Sequence, residues 1–183
     1  MRFTCDWTGP LAASLDALFP DGRATLRCLE IGSFDGLGSL KIAERLCRHA
    51  DAKLFCVDPW QDVYLPGQKT EYDQHFVGQF VRFLVNTERE SKIVPLRGTL
   101  LDFADQLSEE PLDFVYCDAD HTETAVYADA MLAWTLLRPG GIILFDDHTP
   151  EWGVFEAVKR FRQDVQAAEI WRSATQIAFA KAE

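Results

Sequence analysis

Apolar residues recur along the chain in two alternating patterns. Short continuous apolar runs are typical of strands buried on both faces of a sheet, whereas apolar residues spaced three or four positions apart indicate amphipathic helices. The runs predict strands at residues 25–31, 53–57, 92–96, 113–117 and 142–145, and a closing hairpin at 168–171 and 176–181. The helical spacing predicts helices at residues 37–50, 71–88, 100–107, 125–137 and 154–165.

Alternating strands and helices predict an α/β fold with a mostly parallel sheet and helices on both faces. A length of 183 residues suits one domain. We therefore expect a single domain over residues 1–183, with residues 1–24 as an N-terminal extension that packs on the core. In such sheets the ligand crevice lies beyond the carboxyl ends of the strands, so the residues that follow each apolar run are the candidate functional residues.

Composition and charge narrow the classes of partner. The chain is 48% hydrophobic and 26% charged, as in ordinary globular proteins. Its formal net charge of −11 argues against a nucleic acid or an anionic membrane surface as a partner. Twelve acidic residues and one basic residue fall within residues 98–151.

The termini, apolar runs and cysteines indicate the compartment. The sequence has no apolar run as long as a membrane-spanning helix, and its N-terminus lacks the apolar region of a signal peptide. Its five cysteines are odd in number and show no C-x-x-C spacing, which argues against a disulfide framework or a zinc site. These features predict a cytoplasmic protein.

A glycine-rich turn follows the first predicted strand and opens a helix. The segment EIGSFDGLGS covers residues 30–39, and its G-x-x-x-G-x-G spacing matches neither the G-x-G-x-x-G of dinucleotide folds nor a P-loop. Asp58 follows the second strand, where an acidic residue can bind both hydroxyls of a ribose. The two features together favour a ribose-containing cofactor. The alternative is a plain turn and a solvated aspartate before a proline.

Four aspartates follow the fourth and fifth predicted strands. Asp118 and Asp120 follow the fourth strand, and Asp146 and Asp147 follow the fifth. Two like charges about 4 Å apart repel by about 4 kcal/mol at an effective dielectric of 20, so such a cluster must hold protons, stay hydrated or bind a cation. Oxygen ligands without cysteine suit Mg²⁺ or Ca²⁺. The alternative is that some of these acids cap the next helix.

Two histidines directly follow these acidic pairs. His121 and His148 are candidates for a general base, because an unperturbed imidazole titrates near pH 6.5. The alternative is a hydrogen-bonded loop histidine at each position. Trp60 and Trp152 also follow strand ends, where an aromatic ring either walls a pocket or packs at its rim.

These segments together resemble the class I S-adenosylmethionine-dependent methyltransferases. The resemblance is strongest to methyltransferase family 24, which is similar to macrocin-type sugar O-methyltransferases and to catechol-type O-methyltransferases. It implies a Rossmann-like, seven-stranded, mostly parallel sheet with an antiparallel last strand. The segments that carry it are CLEIGSFDGLGSL (28–40), LFCVDPW (54–60), IVPLRGTLLDFA (93–104), DFVYCDADHTETAVYAD (113–129), LLRPGGIILFDDH (136–148) and WGVFEAV (152–158).

The resemblance also implies a role for individual residues. Asp58 would hold the ribose hydroxyls of S-adenosylmethionine. The methionine end would contact Gly32, Ser33, Phe34 and Gly36, the adenine would lie near Gly98, Thr99 and Leu100, and further cofactor contacts would come from Glu30, Ser39 and Asp118. Mg²⁺ would be bound by Asp118, Asp146 and Asp147. Relatives carry Ser-Thr where this chain has Gly38-Ser39, which predicts one missing cofactor contact.

The expected activity is methylation of a small-molecule hydroxyl on a sugar, a natural product or a catechol-like compound, assisted by a divalent metal. The catechol-type enzymes place a lysine base at the position of His121, and the macrocin-type enzymes place an aspartate at that of Asp120. The base is therefore Asp120 or His121, and a sugar-like hydroxyl favours Asp120.

Two other functions stay open from the sequence. One is a non-catalytic protein that binds S-adenosylmethionine or S-adenosylhomocysteine. The other is a nicotinamide-dependent oxidoreductase on a similar sheet, against which the absent G-x-G-x-x-G counts. Acceptor choice is expected on the loops at residues 60–70 and 148–153 and on the N-terminal segment. A chain of 183 residues leaves little room for a separate lid domain, so part of the pocket is expected to come from the partner subunit of a homodimer.

Overall fold

The computed structural model of the protein describes residues 3–4, 6–21, 27–61 and 78–183. Within them, seven strands form one sheet: β1 (Arg27–Ile31), β2 (Lys53–Asp58), β3 (Ile93–Arg97), β4 (Leu112–Cys117), β5 (Leu137–Phe145), β6 (Ala168–Arg172) and β7 (Ile177–Ala180). The strand order is β3-β2-β1-β4-β5-β7-β6. Strands β1 to β5 pair in parallel, whereas β7 is antiparallel to both β5 and β6. The predicted mostly parallel α/β sheet with an antiparallel last strand is confirmed.

Helices cover both faces of the sheet. They are α1 (Gly9–Leu18), α2 (Leu37–Leu46), α3 (Gln79–Thr87), α4 (Ala104–Ser108), α5 (Glu123–Leu136) and α6 (Gly153–Val165), and a 3₁₀ turn (Leu100–Phe103) precedes α4. Because successive strand residues point to opposite faces, Leu29 packs in the layer of α5 and α6, whereas Cys28 packs in the layer of α1 and α2. Leu11 and Leu15 of α1 are buried in that second layer.

The observed boundaries differ from the predicted ones in one instructive place. Residues 138–141, Arg-Pro-Gly-Gly, end the preceding helix as expected, but they lie inside β5, which begins at Leu137. Leu137 already pairs with Leu112 of β4, and the Gly140 N–H donates to the Lys181 carbonyl. The strand therefore begins irregularly, with Gly140 at a φ of +71°. Of the predicted elements and loops, residues 25–26, 62–70 and 71–77 lie outside the described residues, as does Cys5.

The parallel strands bring their carboxyl ends to one edge of the sheet, here called the strand-end edge. Backbone hydrogen bonds continue one residue past each strand, because Gly32 N–H donates to the Val57 carbonyl, Asp118 N–H to that of Ile31, and Asp146 N–H to that of Cys117. These bonds hold the segments that follow β1, β4 and β5 side by side. In the part of the chain described, no helix is long and apolar enough to cross a membrane.

Candidate active site

The glycine turn after β1 lies directly against the segment that follows β4. Gly32 adopts a φ of +87°, and a Cβ atom there would lie 2.1 Å from the backbone oxygen of Asp118. Gly36, at a φ of +91°, caps the start of α2. These left-handed conformations favour glycine, and the close approach at Gly32 excludes any side chain.

The Asp58 carboxylate binds the backbone of this turn. One of its oxygens accepts the N–H groups of Ser33 and Phe34, both at 3.0 Å. The other accepts the Trp60 N–H at 2.6 Å. Burial raises the pKa of Asp58, and these three backbone donors oppose that rise. Asp58 therefore lies at the glycine turn, where a cofactor's ribose is expected.

Glu30 and Ser39 form a buried pair between β1 and α2. Glu30 is only 1% exposed, and the Ser39 hydroxyl donates a hydrogen bond to its carboxylate. Burial raises the pKa of Glu30 to about 7. A Cβ atom at Gly38 would lie 2.7 Å from Glu30 Oε1. The Gly38-Ser39 departure from the family pattern therefore leaves space for the Glu30 carboxylate and gives it a donor.

The segment after β3 lies next to Asp58. The Gly98 N–H donates to the Asp58 carbonyl at 3.0 Å. Both the N–H and the hydroxyl of Thr99 donate to Asp102 Oδ2, at 2.8 and 2.7 Å, and so cap the 3₁₀ turn. Leu100 is fully buried in the core. Gly98 and Thr99 thus lie at the strand-end edge, whereas the Leu100 side chain points into the core.

Two further aromatic residues contact the glycine turn. Trp7 packs its ring 5.8 Å from that of Phe34, so the N-terminal segment reaches the strand-end edge. Trp60 is 1% exposed, packs on Phe80 and Phe83, and donates its indole N–H to the Phe34 carbonyl at 2.7 Å. Trp60 is therefore a core residue that supports the turn.

An acidic cluster containing one histidine occupies the ends of β4 and β5. Asp118, His121 and Asp147 each offer a ligand atom, and all three atoms lie within 4.8 Å of one another. His121 Nε2 is 3.2 Å from Asp147 Oδ2 and 4.0 Å from Asp118 Oδ1. Burial, with a contribution from Asp146 and Asp147, raises the pKa of Asp118 to about 6. The Asp118 carboxylate raises the pKa of His121.

Asp146 lies beside these three ligand atoms but has other partners. Its carboxylate accepts hydrogen bonds from the Tyr116 hydroxyl and, at 2.8 Å, from the Asp147 N–H. The same Tyr116 hydroxyl is 3.2 Å from Asp118 Oδ2. Sequence reasoning missed Tyr116. The available signal was a polar tip at the penultimate position of β4, directly after the apolar Phe114 and Val115.

A small cavity beside the cluster contains two further acids. It is lined in part by Asp118, Asp120, His121 and Asp129. The exposed Asp120 accepts the Thr122 N–H at 2.6 Å. Burial, and then the charge of Asp120, raise the pKa of Asp129 to about 6. Sequence reasoning missed Asp129, whose signal was an acid next to the buried Ala130 of α5.

The two candidate histidines have different surroundings. Trp152 is 48% exposed, and its ring centroid lies 4.8 Å from that of His121. His148 is buried, donates its backbone N–H to the Thr175 carbonyl, and packs on Phe155. Burial, and then the positive charge of Arg172, lower the pKa of His148. Only His121 joins the acidic cluster.

A family model described as a methyltransferase domain matches residues 29–148. The chain belongs to this family, methyltransferase family 24, among the class I S-adenosylmethionine-dependent methyltransferases. The match runs from β1 to His148. It therefore includes both the segments that follow β1 and β2 and the segments that follow β4 and β5. The resemblance inferred from the sequence motifs is confirmed, and membership sets aside the oxidoreductase alternative.

Named relatives fit this assignment. The chain is 33% identical over 121 residues to the probable caffeoyl-CoA O-methyltransferase 2 of Dictyostelium discoideum, and the match covers 66% of this chain and 47% of that one. The chain thus spans about half the length of the curated relatives it matches.

Solved structures share the fold. An O-methyltransferase from Bacillus cereus, crystallised with SAH, has a TM-score of 0.64 at 20% identity over 97% of this chain and 84% of its own. The N-methyltransferase NodS from Bradyrhizobium japonicum has a TM-score of 0.63 at 20% identity, over 95% and 96% of the two chains. Because one neighbour is an O-methyltransferase and the other an N-methyltransferase, the fold alone does not choose the acceptor atom.

Proposed function

We propose that this methyltransferase transfers the methyl group of S-adenosylmethionine to a hydroxyl oxygen of a small-molecule acceptor. The observation that carries the proposal is the convergence of Asp118, His121 and Asp147 within 4.8 Å, next to the glycine turn. The relatives named O-methyltransferase support oxygen as the acceptor atom.

The β1–β2 side of the edge suits the cofactor. Gly32 and Gly36 leave the turn without side chains at positions of positive φ, so the methionine end of the cofactor can approach its backbone closely. Asp58, bonded to the same turn, would take the ribose hydroxyls.

The β4–β5 side suits a divalent cation. The two carboxylates suit Mg²⁺ or Mn²⁺, and the added imidazole favours a divalent transition metal such as Mn²⁺ over Mg²⁺. In this proposal Asp118, His121 and Asp147 hold the ion, and Asp146 supports Asp118 through the Tyr116 hydroxyl. The bound ion would lower the pKa of an acceptor hydroxyl and fix its orientation.

Asp120 is the proposed base, because His121 is committed to the ion and Asp120 lines the adjacent cavity. In the transfer, a C–O bond forms as the C–S bond of the sulfonium breaks, and the bonding pair stays on sulfur. The hydroxyl proton passes to the Asp120 carboxylate. Trp152, half exposed beside His121, offers a ring against which an acceptor can pack.

Methyl transfer is tested with methyl-labelled S-adenosylmethionine, Mg²⁺ or Mn²⁺, and caffeoyl-CoA, catechol and sugar acceptors. We expect EDTA to abolish labelled product, and Asp120→Asn to lower kcat by about 10²–10⁴-fold as for loss of a general base. Glu123→Gln, an exposed acid in the first turn of α5, is the matched control and should retain full activity. S-adenosylhomocysteine binding without any single-turnover product would indicate the non-catalytic alternative.

The ligand set is tested without activity, by electron spin-echo spectroscopy of bound Mn²⁺. We expect ¹⁴N modulation from an imidazole in the wild type, and its loss in His121→Gln. The control is His49→Gln, because His49 also lies near an aspartate, Asp51 at 3.6 Å, but is exposed and remote from the site. Modulation that persists in His121→Gln would assign the nitrogen to another group, and wild-type protein without ¹⁴N modulation would exclude His121 as a ligand and restore Asp146 as the third one.

A further inference from the structure

Tyr116 places a hydroxyl group between two carboxylates of the strand-end edge. It is the penultimate residue of β4, and Asp118 and Asp146 are the first residues past β4 and β5. Tyr116 is 3% exposed and packs in the layer of α1 and α2, together with Phe114 and Leu144. Core packing therefore fixes the ring and, with it, the position of the hydroxyl oxygen.

Two donors of the protein hold the two oxygens of the Asp146 carboxylate. The Tyr116 hydroxyl donates to Asp146 Oδ2, and the Asp147 N–H donates to Asp146 Oδ1 at 2.8 Å. A tyrosine keeps its single hydroxyl proton at neutral pH, so it can act as this donor. Both donors belong to fixed parts of the sheet edge, and they set the orientation of Asp146.

The same hydroxyl gives the two oxygens of Asp118 different neighbours. Asp118 Oδ2 is 3.2 Å from the Tyr116 hydroxyl, whereas Oδ1 is 4.0 Å from His121 Nε2. Asp147 Oδ2 lies 3.2 Å from the same imidazole nitrogen. The ligand atoms that lie within 4.8 Å of one another therefore come from Asp118, His121 and Asp147, while Tyr116 and the Asp147 N–H hold Asp146 aside.

The ligand set decides which cation a site prefers. Carboxylate oxygens suit Mg²⁺ and Mn²⁺, whereas an imidazole favours a transition metal. Without the Tyr116 hydroxyl, Asp146 would lose one of its two donors and could turn towards the ion as a third carboxylate ligand. Loss of a group that orients metal ligands typically changes metal affinity by about 10–100-fold.

We infer that the Tyr116 hydroxyl is a positioning group that holds Asp146 out of the ligand set and thereby makes the site prefer Mn²⁺ to Mg²⁺. The inference rests on the proposed cation site and adds its metal preference. Asp146 then contributes negative charge to the site but no ligand atom. A hydroxyl with a purely structural role would affect stability and leave the metal preference unchanged.

Competition between the two ions, followed by electron paramagnetic resonance of free Mn²⁺, tests this inference. We expect the Mg²⁺ dissociation constant of the wild type to be at least ten times the Mn²⁺ dissociation constant. Tyr116→Phe keeps the ring in the core and should lower this ratio at least fivefold, chiefly through tighter binding of Mg²⁺. Tyr127→Phe is the matched control and should keep the ratio within twofold, because the Tyr127 hydroxyl donates to Asp164 at 2.6 Å, outside the site.

A second substitution separates the inference from an effect on folding. Because Asp146 is not a ligand in this arrangement, Asp146→Asn alone should change the ratio by less than twofold, and this holds even if Tyr116→Phe fails to fold. In the double variant Tyr116→Phe, Asp146→Asn, the ratio should return to within twofold of the wild-type value, because the third carboxylate is gone.

Four results would overturn the inference while the cation site stands. They are an unchanged ratio in Tyr116→Phe, an equal change in Tyr127→Phe, a change of more than twofold in Asp146→Asn alone, and a double variant that keeps the ratio of Tyr116→Phe. A wild-type protein that binds no Mn²⁺ would instead contradict the proposed cation site itself, and the inference with it.

Discussion

Carboxylates have different partners in the two halves of the strand-end edge, one formed by the residues after β1 and β2 and the other by the residues after β4 and β5. On the β1–β2 side, Asp58 accepts three backbone N–H groups, and Glu30 accepts the Ser39 hydroxyl. On the β4–β5 side, Asp118 and Asp147 face one another across a single imidazole, that of His121. Fixed donors of the protein thus hydrogen-bond the carboxylates of the first half, whereas the carboxylates of the second half lie close to one another.

This difference shows how one sheet edge can prepare two kinds of binding. Backbone donors fixed by a glycine turn hold a carboxylate in one orientation, which suits the hydroxyls of a ribose. Like-charged carboxylates held close together raise one another's pKa and gain most from a cation. When no cation is bound, the repulsion between these carboxylates destabilises the folded protein. The contrast is established if replacing an aspartate by asparagine changes the free energy of unfolding in opposite directions in the two halves.

The largest effect is expected at the junction of the two halves. Gly32→Ala would place a Cβ atom 2.1 Å from the Asp118 backbone oxygen at a φ of +87°. We expect a loss of at least about 4 kcal/mol in the free energy of unfolding, or failure to fold. Gly9→Ala is the control, since no heavy atom lies within 4 Å of its Cβ position. Urea denaturation measures both, and a stable Gly32→Ala protein would contradict the observed packing.

The next effect concerns the buried carboxyl on the β1–β2 side. Because the pKa of Glu30 is raised to about 7, the folded state keeps a proton that the unfolded state releases above its ordinary pKa of 4.5. Its contribution to stability therefore falls as pH rises from about 4.5 to 7 and is constant above that. The free energy of unfolding of Glu30→Gln, minus that of the wild type, should therefore be greater at pH 8 than at pH 5, by up to about 3 kcal/mol.

Urea denaturation of both proteins at pH 5, 6, 7 and 8 measures this difference. Asp118 and Asp129 titrate in the same range, so only the difference between variant and wild type reports on Glu30. Glu88→Gln is the matched control, because Glu88 is exposed and its ion-pair partner is an arginine, Arg89, which stays charged over this range, so its difference should not change with pH. A difference independent of pH in Glu30→Gln as well would show that Glu30 is ionised in the folded protein.

The smallest effect compares the two halves directly, at pH 7.5 with EDTA. Asp58→Asn leaves one of three backbone N–H groups without an acceptor and should destabilise the protein by about 1–3 kcal/mol. Asp118→Asn relieves repulsion at a partly exposed site and should stabilise the metal-free protein by about 1 kcal/mol.

Thermal denaturation with and without Mn²⁺ completes this comparison. Ligands that bind only the folded state raise its stability, so Mn²⁺ should stabilise the wild type and Asp58→Asn but not Asp118→Asn. A change of the same sign in both variants, or equal stabilisation of all three proteins by Mn²⁺, would remove the contrast between the halves.

The sequence by itself determined the fold class, the strand order along the chain and the positions of most candidate residues. Apolar runs mark strands buried on both faces, and polar residues just past them must lie at the edge where parallel strands end. The glycine turn, Asp58 and the acids after β4 and β5 were therefore found without coordinates. The family motifs are carried by the same positions, and the match over residues 29–148 confirms the family.

Only the tertiary structure decided how these residues meet. Periodicity does not show that Tyr116 joins Asp118 to Asp146, that Asp129 lines the cavity beside Asp120, or that His148 turns away from the cluster. The deciding contacts, Tyr116 with Asp146 and His148 with Thr175, join segments far apart in the sequence, which local patterns do not encode.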